Sequence, residues 1–119
     1  MEFNQYNTTV QQWIHTVLEN RETNADVVLE CCRDIIAYGR ETDDPKLMGF
    51  GFFYGGEIYY ELNDGAHFFH MMTEALTYLD RAEEWELVVR CYNFLGIASM
   101  SRGNPSLALD YYMNAVSYT

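Results

Sequence analysis

The stretch Lys46–Leu62, KLMGFGFFYGGEIYYEL, sets glycines at 49, 51, 55 and 56 among aromatic side chains. Three readings compete: a loop that cradles phosphate, a segment that enters a membrane, or a helix that uses glycine for close packing. GFGFFYGG lacks the G-x-G-x-x-G spacing, follows no strand, and has no Lys-Ser/Thr after it, so nothing shapes it for a phosphate. Its apolar part falls short of the ~18 residues a spanning helix needs, and Glu57 interrupts it. The helix remains. ETDDP supplies a cap and Pro45 ahead of it, and ELNDG supplies a stop behind it.

Outward from that helix the chain repeats. A shift of forty residues aligns Asn24, Asp64 and Asn104, all good N-cap residues whose side chains accept from otherwise unpaired backbone N–H groups. The same shift aligns Val28 with Phe68 and Ala108, Cys32 with Met72 and Tyr112, and Ile35 with Ala75 and Ala115. It also aligns Ile36 with Leu76 and Val116, and Tyr38 with Tyr78 and Tyr118. Spacings of four and three mark one face of a helix. The register predicts helices over 25–39, 65–79 and 105–118, with Pro105 at the first helical position. Each follows another helical segment, over 8–20, 45–62 and 83–101. No alternating strand pattern of useful length occurs. The expected fold is all-α: three helix–turn–helix units, approximately 1–40, 41–80 and 81–119, in one domain.

Within YNFLGIASMSRGNPSLALDYYMNA, the spacing of Gly96, Ala108, Tyr112 and Ala115 resembles a tetratricopeptide repeat. Gly56, Met72 and Ala75 fit the same spacing with Phe68 in place of a small residue, and Thr16, Val28, Cys32 and Ile35 fit it loosely. The forty-residue period exceeds the family's usual ~34. The resemblance implies a right-handed superhelical solenoid whose first helices line a concave groove. Gly55 and Gly56 then sit where Leu95 and Gly96 sit, at the close approach of paired helices. Periodicity gives no role to Gly49 or Gly51.

Several function classes lose support from composition and motifs. Seven basic against eighteen acidic residues give a net charge of −11, which repels nucleic acid and anionic lipid. Cys31, Cys32 and Cys91 form no disulfide framework, and the N-terminus shows no secretory leader, so a cytoplasmic chain with free thiols is expected. His67, His70 and Glu74 share one helical face and are a weak candidate metal set beside the plainer reading of a solvated polar face. No nucleophile–base pair or paired carboxylate has a motif around it. Neither catalysis nor a cofactor is expected.

The resemblance places the groove at Val10, Trp13 and Val17, then Phe50, Phe53, Glu57 and Tyr60, then Arg90, Asn93 and Ile97. Asn93 matches the family's frequent groove asparagine, able to hold a peptide backbone. Trp13 and Phe53 stand where a carboxylate clamp would want Asn. An aromatic groove with one acid and one base suits an apolar or mildly cationic peptide. Packing of these aromatics between repeats stays open as the alternative. Leu109, Tyr112, Met113 and Val116 on the last helix favour continuation into a longer protein or a homo-oligomer. RCYNFLGIASMSRGNPSLALDYYMNAV, with the forty-residue period, is similar to the N-terminal repeat region of bacterial signalling proteins that end in a GGDEF (diguanylate cyclase) domain. That similarity implies a sensory or interaction module with a protein or peptide partner.

Overall fold

Six helices and no strand make up the chain, which a computed structural model describes over residues 1–119. They are α1 (Thr8–Asn20), α2 (Ala25–Glu41), α3 (Pro45–Glu61), α4 (Gly65–Arg81), α5 (Trp85–Ser101) and α6 (Pro105–Ser117). Each packs on its neighbours in sequence. The stack is elongated, 44 × 28 × 22 Å.

The forty-residue register holds at the level of burial. Val28, Phe68 and Ala108 are buried, as are Ile35, Ala75 and Ala115. Cys32 and Met72 are buried too, while Tyr112 is half-buried. Asn7, Asn24, Asp44, Asp64 and Asn104 each accept from the backbone N–H three residues on. Glu84, at the cap position of α5, makes no such bond.

A finer period lies beneath the forty. Helices α2 to α6 start at Ala25, Pro45, Gly65, Trp85 and Pro105, an interval of 20 residues each time. The turns that join them are copies of one design. Asp43, Asn63, Glu83 and Gly103 all take the left-handed conformation, with φ of 51°, 58°, 57° and 77°. The next N–H donates five residues back, from Asp44 to Gly39, Asp64 to Tyr59, Glu84 to Leu79 and Asn104 to Ser99, at 2.8–3.0 Å. This is the Schellman closure, which satisfies the last carbonyls of each helix and turns the chain sharply. The link between α1 and α2 departs from it. It has four residues, Arg21–Asn24, and Asn24 N–H donates to Asn20 O instead.

The glycines of α3 set how closely its neighbours approach. A Cβ on Gly51 would lie 2.6 Å from Ile36 Cγ1 and 3.1 Å from the Cys32 carbonyl on α2. On Gly49 it would meet Leu79 Cδ2 of α4 at 2.6 Å, and on Gly56 it would meet Met72 at 3.1 Å. So Gly49 and Gly51 have a packing role, on opposite sides of one helix. Gly96 repeats the device between α5 and α6, where a Cβ would lie 2.6 Å from the Tyr112 ring.

A left-handed backbone costs a residue with a Cβ about 1 kcal/mol relative to glycine. Glu83 bears that cost without the local hydrogen bonding that eases Asn or Asp there. Glu83→Gly is expected to stabilise the protein by about that amount in a denaturant titration, and Glu83→Ala to recover much less. Equal gains from both variants would assign the effect to relief of negative charge instead.

Candidate functional site

The face shared by α1, α3 and α5 collects most of the polar chemistry that is not at a surface. Glu57 on α3 is buried, and its carboxylate receives two hydrogen bonds from Arg21, at 2.8 Å from Nε and 2.6 Å from Nη2. This fork-to-fork pairing is the strong form of an arginine–carboxylate contact. Arg90 of α5 adds a second guanidinium 3.5 Å from the same carboxylate. The two cations also lie over aromatic rings, Arg21 at 5.1 Å from the Tyr54 centroid and Arg90 at 4.9 Å from that of Phe53. The hydrogen bond to Glu57 pushes the Arg21 pKa above its ordinary value. One acid thus ties the end of α1 and the middle of α5 to α3.

Two depressions flank this cluster. One, of about 520 Å³, opens between the α1–α2 link and the C-terminal end of α3, with Arg21, Glu57, Ile58 and Glu61 in its wall. The other, of about 170 Å³, lies among Leu18 of α1, Phe50 and Tyr54 of α3, and Leu87 and Arg90 of α5. The chain's first residues, Met1 and Phe3, complete its lining.

The residues assigned to the groove by resemblance divide by depth. Val10, Val17, Phe50 and Phe53 are fully enclosed and belong to the hydrophobic core. Trp13 is half-buried and meets Tyr38 edge-on at 6.2 Å, on the side of α2. Tyr60 is half-buried against Phe68 and Phe94, with centroids at 5.4 and 5.5 Å. Glu57 and Arg90 meet in the ion cluster, and Asn93 and Ile97 are exposed one and two turns beyond Arg90 on α5. Arg21 is the member that sequence reasoning missed. It sits in a link, outside any helical register, and a lone arginine in a turn carries no signal.

His67, His70 and Glu74 do not assemble. No three His, Cys, Asp or Glu side chains lie where they could hold a metal ion. His67 Nδ1 sits 2.7 Å from Asp64 Oδ2, and its ring stacks on Tyr59 at 4.7 Å. The backbone N–H and imidazole of His67 hold the Asp64 carboxyl below the usual carboxylate range. His70 points its ring edge-on toward Phe52 at 6.5 Å. The thiols are equally withdrawn: Cys32 and Cys91 are free and buried, and burial pushes the Cys91 pKa up to about 12. No helix is long and apolar enough to cross a membrane.

Comparison with known protein families, with curated proteins and with solved structures gives no match. The face is therefore read from its own geometry.

Two measurements test this account. Removing one partner of a mostly buried ion pair leaves the other charge desolvated, so Glu57→Ala is expected to cost about 3 kcal/mol in a denaturant titration. Arg90→Ala, whose side chain is 35% exposed and whose contact with Glu57 is a long 3.5 Å, should cost under about 1 kcal/mol. For the cysteines, the folded thiol resists ionisation while the unfolded one titrates from its ordinary value of 9.0. Stability is then intact below pH 9 and falls from pH 9 toward 12, by about 1.4 kcal/mol for Cys91 at pH 10. Cys91→Ala should flatten that alkaline slope when midpoints at pH 7 and 10 are compared.

Proposed function

We propose that this chain is a non-catalytic interaction module whose α1, α3 and α5 face receives a protein or peptide segment. In this reading the six helices form a right-handed, tetratricopeptide-like solenoid that works as a cytoplasmic sensory-regulatory unit of a bacterial signalling protein. Its occupancy biases a downstream output such as a diguanylate cyclase domain. The observation that carries the reading is the pairing of two open depressions with one ion cluster on a single face. The smaller depression has the mostly apolar lining with a few polar groups of which peptide and ligand sites are made. Arg90 offers N–H donors beyond its contact with Glu57, the exposed Asn93 amide can both donate and accept, and Ile97 supplies apolar area beside them.

A small-molecule or peptide-signal sensor is the second reading. The depression of about 520 Å³ favours it, since pockets for such ligands run from roughly 300 to 1,000 Å³.

The end of the stack supports self-association. Leu109, Met113 and Val116 are 58%, 64% and 69% exposed on one face of α6. Ile36, the register equivalent of Val116, is buried beneath α3, where it meets Gly51. Asp110 is the sole charged residue of α6, so two copies of this strongly acidic chain can meet there without the repulsion they meet elsewhere.

Light scattering on a sizing column is expected to give twice the chain mass for the wild type and the chain mass for Met113→Glu/Val116→Glu. A wild-type monomer removes the self-association. For the face itself, a panel of peptides and metabolites should yield at least one melting shift that Asn93→Ala/Ile97→Glu abolishes. Shifts insensitive to that pair would move the site elsewhere.

A further inference from the structure

The first six residues, Met1–Tyr6, belong to no helix, yet they are held in place by specific contacts. Phe3 meets Phe50 of α3 edge-on at 5.2 Å, closing the depression of about 170 Å³. Tyr6 donates its hydroxyl to Asp44 Oδ2 at 2.8 Å. Lys46 is the clamp between them, with its ammonium 4.8 Å from the Phe3 centroid and 5.9 Å from that of Tyr6. The same ammonium donates to the Glu2 carbonyl, and Gln11 Nε2 donates to the Tyr6 carbonyl at 2.7 Å. Glu2, Asn4 and Gln5 are exposed, with no side-chain hydrogen bond to the helices.

The grip is thus made of two aromatic side chains three residues apart plus main-chain carbonyls. Any segment with that pattern satisfies it. The intervening positions are unread, and an irregular arm can leave without breaking a helix. A cavity stays open beneath Met1, and at its rim the two carboxylates of Glu84 and Glu86 outnumber the one cation, Arg90, which is already engaged with Glu57.

We propose that the seat formed by Asp44, Lys46, Phe50 and Leu87 is a recognition site for a partner segment of the pattern aromatic-x-x-Tyr, which the chain's own arm occupies in cis. The acidic rim favours a segment with a basic residue ahead of its first aromatic. This deepens the binding role assigned to the α1, α3 and α5 face and rests on it. A tethered arm competes at an effective concentration of roughly millimolar, so a partner at about micromolar concentration displaces it only with a Kd roughly a thousandfold below the arm's own.

The test uses the full chain, as wild type and as Phe3→Ala/Tyr6→Ala, with a fluorescein-labelled peptide of the arm's own sequence, MEFNQYN, read by anisotropy. The variant is expected to bind the peptide saturably and at least tenfold more tightly than wild type. A peptide with Ala at both aromatic positions should not bind, a peptide with Lys at its second position should bind more tightly, and adding Lys46→Ala to the variant should weaken binding. Absence of saturable binding to a variant with unchanged circular dichroism overturns the proposal, and so does equal affinity for variant and wild type. If the double variant does not fold, Tyr6→Phe replaces it, because that change removes only the bond to Asp44. Tyr6→Phe must then bind the peptide more tightly than wild type, and no gain overturns the site. A wild-type dimer that Phe3→Ala/Tyr6→Ala converts to monomer means that arms exchange between copies, which overturns a foreign partner. Failure of the arm peptide while the Asn93-dependent melting shifts persist removes only this site. Loss of both removes the binding face altogether.

Discussion

Everything in this molecule is arranged around a helix with no wet side. Residues Leu47 to Ile58 of α3 are buried without a break. A helix that is apolar all round has to be enclosed, and a linear stack of helices offers enclosure only at its middle. Two neighbours must therefore come close on opposite flanks, and glycine is what lets them. Gly51 admits Ile36 and the backbone of α2, while Gly49 admits Leu79 of α4. The propensity lost, about 1 kcal/mol for each glycine relative to alanine, is offset by the dispersion contacts that close approach makes.

Enclosure also explains why a charged residue sits in such a helix. Glu57 lies on the flank of α3 that faces neither α2 nor α4, where water would otherwise reach the core. Arg21 and Arg90 cover it from both sides, and their stems and guanidinium planes lie on Tyr54 and Phe53. The cluster both seals α3 and exposes charged hydrogen-bonding groups on the face it seals. In the proposed reading stability and recognition share the same three side chains, so a ligand that drew on Arg90 would also alter how α5 is held.

Much of the fold could be read from the chain because it is written in local chemistry. Side-chain caps at Asn24, Asp64 and Asn104 announce helix starts, and the apolar positions twenty-eight, thirty-two and thirty-five of the first unit recur in the next two. The twenty-residue period is hidden in the sequence for a physical reason. Odd and even helices bury different faces, so a shift of twenty aligns turns but not side chains. Left-handed residues as different as Asp43, Glu83 and Gly103 serve one geometry, and composition hides it. Of the residues expected in a groove, Glu57 and Arg90 meet in the ion cluster and Asn93 is exposed beyond them. The face was not legible where it depends on an approach between distant segments, as for Arg21 against Glu57 or Phe3 against Phe50. Phe50 and Phe53 sit in the right helix for a groove but turn inward, a difference of rotation that spacing alone does not give.

The odd turn out has a mechanical consequence. Four corners of the stack share one tightly bonded geometry, so α2 through α6 should behave as a stiff rod. The corner between α1 and α2 lacks that lock and leaves a single soft joint near one end. Arg21 lies in that joint, and its grip on Glu57 is the latch that keeps it closed. Losing that contact would loosen the α1 end of the stack and leave the four bonded corners as they are.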